Sequence, residues 1–174
     1  MDVKYWPVDY ESTLLGISFS YPEKLVKSIR WMGDGPYRVW KNRMKGTTLN
    51  VWDKAYNNTI TGEPQNLVYP EFKGYYSNLY WMRLETTEQP FTIVCSSEDV
   101  FLRLFTPQFP REPFNTAPAF PSGDISFMHG IPPIGTKGQK AEKLGPMGQK
   151  HMFYTSGKTY FKEVTLYFDF SGKN

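Results

Sequence analysis

Hydrophobic and polar positions alternate with a period of two at both ends of the chain. Ile17, Phe19 and Tyr21 are separated by Ser18 and Ser20, while Val164, Leu166, Phe168 and Phe170 are separated by Thr165, Tyr167 and Asp169. Side chains change face at every step of an extended strand, so this spacing predicts half-buried β-strands. Leu79 to Glu85, Phe91 to Ser96 and Val100 to Phe105, rich in β-branched and aromatic residues, predict three more. Turn-forming residues separate these runs at Thr87 to Pro90, Ser97 to Asp99 and Ser156 to Lys158. One short helix is expected after Pro36: proline suits the first helical position, Asp34 or Gly35 would cap it, and Tyr37, Trp40 and Met44 would share a face. Pro107, Pro110, Pro113, Pro118 and Pro121 predict an extended connection from Thr106 to Pro121, and the Gly, Pro and Lys content of Gly130 to Gly148 predicts a second long loop.

Composition strengthens the strand reading. Aromatic residues make up 17% of the 174 residues, beside 14 prolines and 14 glycines. Aromatics favour strands, and Pro and Gly cut a chain into short ones, so the expected class is all-β, a twisted antiparallel β-sandwich forming one domain over residues 1–174. Such a core accounts for most of the aromatics, though flat apolar rings also suit pyranose faces. The net charge of +3 comes from scattered Lys and Arg, without the basic stripe that nucleic-acid binding leaves. No apolar run approaches the roughly 20 residues of a membrane-spanning helix, and Met1 to Glu11 lacks the apolar centre of a signal peptide. Neither nucleic acid nor membrane is therefore an expected partner.

The candidate chemistry is sparse. Glycoside hydrolysis uses two carboxyl groups across the scissile bond, and no local motif pairs Asp34, Glu71, Glu98, Asp99 or Asp124. His129, His151 and Cys95 are too few and too scattered for a zinc site; Cys95, in the alternation Phe91, Ile93, Cys95, reads as a buried small hydrophobe. Gly33-Asp34-Gly35 lacks the third glycine of a dinucleotide fingerprint. No catalytic residue, metal or cofactor is expected.

The most specific segment is Gly33-Asp34-Gly35-Pro36-Tyr37-Arg38-Val39-Trp40-Lys41-Asn42-Arg43. It resembles the G-x-G-P-x-x-x-aromatic-x-[DN]-R segment in the last domain of large bacterial glycoside hydrolase family 2 β-galactosidases. Pro70-Glu71-Phe72-Lys73-Gly74 is similar to that domain's P-x-E-x-G segment, and Tyr80-Trp81-Met82-Arg83-Leu84 and the closing strand Tyr160 to Phe170 follow in the family's order. Phe72 stands where the family has Glu, with Glu71 one place earlier, and Tyr76 stands where it has Arg. A late family loop of the type G-x-D-D-S-W is replaced here by His129-Gly130-Ile131-Pro132-Pro133-Ile134-Gly135, without its Trp.

The resemblance implies a galactose mutarotase-like supersandwich, or part of one, from the C-terminus of a larger β-galactosidase-like hydrolase. Such a domain is non-catalytic, packs against the catalytic barrel, and contributes to binding a galactose-containing oligosaccharide; the parent would be periplasmic or extracellular. Trp40, Arg43, Glu71 and His129 are the expected carbohydrate-binding residues, with contacts made through loops. Two other readings stay open: a self-sufficient carbohydrate-binding module, which a flat row of exposed aromatic residues would favour, and a mutarotase- or epimerase-like enzyme using His129 or His151.

Overall fold

The computed structural model describes residues 1–6, 10–62, 68–109, 117–153 and 161–172. In chain order the strands are β1 (Asp2–Tyr5), β2 (Tyr10–Ser12), β3 (Leu15–Phe19), β4 (Val26–Gly35), β5 (Thr48–Ala55), β6 (Gly74–Tyr76), β7 (Trp81–Thr86), β8 (Phe91–Cys95), β9 (Phe101–Leu104), β10 (Ile125–Gly130), β11 (His151–Phe153) and β12 (Lys162–Asp169). Among the described residues the only helical pieces are single 3-10 turns at Glu23–Leu25, Ala141–Lys143 and Pro146–Gly148. The fold is therefore all-β, as the alternation predicts, and none of its helical pieces is long and apolar enough to cross a membrane.

Two antiparallel sheets face each other. The larger has the order β1-β12-β8-β7-β4-β5 and the smaller β3-β10-β9-β6, while β11 and β2 form a separate pair. Alternate residues of both sheets meet in one core: Ile29, Trp31, Met82, Leu84, Ile93, Cys95, Val164 and Leu166 from the larger, Tyr76, Leu102, Leu104, Ile125 and Phe127 from the smaller. Ring contacts cross the interface, Trp31 to Tyr76 at 5.1 Å and Phe19 to Phe168 at 5.8 Å between centroids. Burying each such large apolar side chain contributes about 1.5–3 kcal/mol. Cys95 takes its expected place among them.

The smaller sheet is covered on both faces. Its outer side carries Tyr75 and Met128, which pack with Val39, Trp40, Ile131 and Ile134 into a second buried cluster. Tyr75 and Tyr76, or Phe127 and Met128, thus serve two different cores because neighbours on a strand point oppositely. The layer over this outer face comes from irregular chain, residues 36–45 and 131–137.

The helix expected after Pro36 does not form. Asp34 and Gly35 end β4 instead of capping a helix, and the Asp34 carboxylate accepts a bond from Ser77 Oγ at 3.0 Å. Beyond Pro36 the backbone bonds to a strand edge: Val39 N–H donates to the Tyr75 carbonyl at 2.7 Å, and Trp40 and Arg43 exchange bonds of 3.1 and 2.7 Å. These partners satisfy the groups that a helix would have paired internally. The connection from Gly130 to Gly148 is the expected long loop apart from two single turns, whereas 110–116, within the predicted proline-rich connection, lies outside the described residues.

At the end of the larger sheet, β5 reverses the usual pattern. Leu49 and Val51 face solvent, 50% and 40% exposed, while Lys54 points inward and is 5% exposed. Asn50 Oδ1 accepts the Val51 N–H at 2.8 Å, and Trp52 Nε1 donates to the Thr48 carbonyl at 3.3 Å.

Candidate functional site

The sequence segment that carries the resemblance wraps the end of β4 onto the outer face of the smaller sheet. Gly35 is required by close approach, since a β-carbon there would lie 2.7 Å from Trp52 Cδ1 and 2.8 Å from Trp31 Cζ2. From this exit Trp40 packs edge-on against both Tyr75 and Phe120, at centroid distances of 5.4 and 5.8 Å. Tyr75 and Phe120 stack at 5.0 Å with 9° between their planes. Trp40 is consequently 5% exposed, an anchor of the segment with only its rim toward solvent.

Asn42 fixes the neighbouring loop. Its side chain donates to the Ile134 carbonyl at 2.9 Å and accepts the Ile134 N–H at 3.0 Å, matching both polar groups of that residue. Arg43 adds a bond of 3.3 Å to the Gly135 carbonyl, and Lys41 N–H donates to the Pro132 carbonyl at 3.0 Å. An amide at position 42 supplies both donor and acceptor, which a carboxylate would not.

Arg38 organises the other wall. Its guanidinium pairs with Glu71 Oε1 at 3.2 Å, donates to Thr61 Oγ1 at 3.0 Å and to the Lys73 carbonyl at 3.4 Å, and lies over the Trp40 ring at 5.5 Å. Gly74, with φ of +142°, leaves the space that Arg38 fills, because a β-carbon there would stand 2.8 Å from Arg38 Cδ. Beneath, Lys54 Nζ donates to the carbonyls of Pro36 at 2.6 Å and Glu71 at 2.8 Å and to Tyr76 Oη at 2.9 Å. Burial pushes its pKa down to about 7, against the raising influence of Glu71 and with a further lowering by Arg38.

These walls enclose an open cleft of about 490 Å³ whose lining includes Tyr37, Arg38, Trp40, Arg43, Lys45, Tyr69, Glu71, Thr136 and Lys137. No protein-family model matches the sequence, and no curated protein matches it. The resemblance to family 2 β-galactosidases thus rests on the motif segments themselves.

Three of the four expected binding residues, Trp40, Arg43 and Glu71, line this one cleft. His129 does not. It follows Met128 on β10 and points to the opposite side of the smaller sheet, where its Nδ1 bonds the Tyr5 hydroxyl. Burial, and secondarily Lys162, lower its pKa to about 4, with Asp99 opposing. His151 Nε2 donates to the Ile131 carbonyl at 2.7 Å, and among the described residues His, Cys, Asp and Glu form no cluster suited to a metal.

Sequence reasoning passed over Tyr37, Arg38, Lys45, Tyr69 and Lys137. The signal was present for Arg38 and Tyr37, which lie inside the motif, and for Tyr69, two residues before Glu71; Lys137 sits in the predicted loop.

The His129 shift has a stability consequence. A histidine whose folded pKa is depressed contributes stability that is fully present above its unfolded value near 6.5 and is lost as pH falls through about 4. Its ring is only partly buried, so solvent screening limits the effect to roughly 1 kcal/mol. Urea unfolding of wild type and His129→Asn between about pH 7 and pH 4 should show the steeper acid loss in wild type; parallel curves would disprove this.

Proposed function

We propose that this chain is a non-catalytic, carbohydrate-handling domain of a larger family 2 β-galactosidase-like hydrolase, with its sugar contacts in the cleft between residues 36–45 and 134–137. The observation that carries the reading is the cleft itself: residues singled out from two separate motif segments line one concave surface. The chemistry suits a sugar. Tyr37 and Tyr69 are 50% and 62% exposed and offer flat apolar faces ending in hydroxyls, while Arg43 supplies directional donors to hydroxyl oxygens. The cleft's one carboxylate among the described lining residues, Glu71, is held by Arg38, so the site has no acid–base pair of the kind that cleaves glycosides. The walls are loops on a rigid sheet, the usual place for binding residues.

Titrating galactose and short galacto-oligosaccharides into the 174-residue chain, with amide NMR shifts as readout, tests the binding. Shifts at Tyr37, Arg43 and Thr136 with affinity around millimolar are expected, because a shallow site gains few buried contacts against association entropy. No shift at high sugar concentration would remove the binding claim. The parent is tested by the reading frame upstream of Met1, where a barrel-coding stretch is expected and a stop codon would refute it.

One observation favours the module reading instead. On the outer face of the larger sheet, Val51, Met32, Trp81, Val94 and Tyr167 stand in register across five adjacent strands. Val51, Val94 and Tyr167 are 40%, 43% and 61% exposed. Strands lie about 4.8 Å apart, so this apolar row forms a flat strip flanked by the polar row Asp53, Arg30, Arg83, Thr92 and Asp169. An extended glycan would lie along such a strip. Retention on insoluble polysaccharide decides between the sites: loss in Trp81→Ala but not Arg43→Ala would select the strip, and the reverse would select the cleft.

A further inference from the structure

We infer that the groove between the two sheets beside Phe170 binds a small quaternary-ammonium compound of the choline class, at a site separate from the cleft. Five aromatic rings line it in an unbroken arc. Tyr21 lies 5.3 Å from Phe91, Phe91 5.7 Å from Phe170, Phe170 6.0 Å from Phe168 and Phe168 5.8 Å from Phe19, between ring centres. Phe19 comes from β3 of the smaller sheet, Phe91 and Phe168 from β8 and β12 of the larger. The core residues Ile93 and Ile125, 3% and 2% exposed, line it too. Its volume of about 350 Å³ is that of a small-molecule site.

Charge selects the occupant. Glu88 lines the same groove, the one carboxylate among the described lining residues, which include no Lys, Arg or His. That carboxylate makes no ion pair or hydrogen bond with any described residue, while the Glu88 N–H donates to Thr86 Oγ1 at 3.1 Å. An aromatic ring is negative on its face and attracts a cation within about 6 Å of its centre. A trimethylammonium group has no N–H donor to leave unpaired among apolar rings, unlike a lysine ammonium with three. It therefore gains from the rings and the carboxylate together. A neutral apolar molecule would leave Glu88 idle. The walls are set before binding: the Asp124 carboxylate accepts the Tyr21 N–H at 2.9 Å, and Gln89 Nε2 donates to the Phe170 carbonyl. Little ordering then opposes association.

The test is titration of the full chain with choline and with dimethylbutanol, the neutral isostere in which a tert-butyl group replaces trimethylammonium. Amide NMR shifts are the readout. Choline should bind about tenfold more tightly than the isostere, with shifts at Tyr21, Glu88, Phe91 and Phe170. Glu88→Gln, a change at an exposed position, should remove most of that preference and leave isostere binding in place. Phe170→Ala, at a ring 62% exposed, should weaken choline binding about threefold without changing the melting temperature. Equal affinity for choline and the isostere would overturn the inference, as would a full preference surviving in Glu88→Gln. Shifts confined to the cleft around Arg43, or none at high choline concentration, would overturn it too. Binding to phosphatidylcholine vesicles without binding to free choline would reassign the groove to a lipid surface and remove the small-ligand claim. None of these outcomes decides the carbohydrate reading, which concerns a different surface.

Discussion

Lys54→Met is expected to lower the unfolding free energy by about 2 kcal/mol near pH 7 and by about 4 kcal/mol near pH 9. The variant keeps the length and apolar stem of the side chain, so little packing is lost. What disappears is the donor that joins the Pro36 and Glu71 carbonyls to Tyr76 Oη beneath the cleft. Each buried acceptor left without a partner costs about 1–3 kcal/mol, and Glu71's carbonyl keeps its bond from Tyr76 at 2.6 Å. The pH dependence follows from the depressed amine. Its folded pKa of about 7 lies below the unfolded value of 10.5, so between them the unfolded chain holds the proton more tightly. That contribution to wild-type stability is complete above the unfolded pKa and is lost as pH falls through about 7, and methionine cannot reproduce it. Denaturant unfolding at about pH 6, 7.5 and 9 reads the difference, below the range where tyrosines in the unfolded chain ionise. A pH-independent gap between the two proteins would refute the protonation argument, and no gap at all would refute the clamp.

Arg103→Leu should cost about 3–5 kcal/mol, enough to lower the melting temperature by about 10 °C. Arg103 sits on β9 with no solvent exposure. Its guanidinium donates to the Gly123 carbonyl at 2.7 Å, to the Pro121 carbonyl at 3.3 Å and to Thr106 Oγ1, and lies 5.8 Å from the Phe120 ring centre. Both ends of the proline-rich connection are thus tied to one side chain, and Phe120 is in turn the plate on which Tyr75 and Trp40 rest. Burial lowers the Arg103 pKa, and among the described residues no carboxylate forms an ion pair with it. Its value lies in the fork that reaches three acceptors at once. Arg103→Lys keeps the charge without the fork, so it should lose most of the same stability. If lysine melts like wild type, charge alone suffices and the fork argument fails.

The legible parts of this fold were those where one face of a strand is apolar. β3, β8 and β12 show that pattern directly, with Ile17, Phe19, Ile93, Cys95, Val164 and Leu166 turned to the core. β5 did not, because its apolar Leu49 and Val51 face solvent and the lysine Lys54 shares its inward face with Trp52. Its strand character comes from pairing with β4 over eight residues, a tertiary fact. The segment after Pro36 misled for a related reason: Tyr37, Trp40 and Met44 have helical spacing, but the Tyr75 backbone offered a partner outside the segment. At the site, the motif pointed to Trp40 and Arg43, yet the exposed tyrosines and Lys137 come together only when three loops meet over Tyr75. His129 shows the converse. Residue type made it a candidate, and the two-residue period of β10 turned it to the other side of the sheet.

The finishing of β5 bears on how the chain behaves in a crowd. A terminal strand displays a ladder of open backbone groups, the template on which misassembly by strand addition begins. Here the strand that would be most inviting, apolar on its outer face at Leu49 and Val51, meets some of that demand from its own side chains through Asn50 and Trp52. A neighbouring chain attempting to extend the sheet would first have to displace these bonds, and it would meet Asp53 and Arg30 beside the apolar positions. Two side chains thus blunt this edge of the sheet against strand addition while leaving its outer strip apolar.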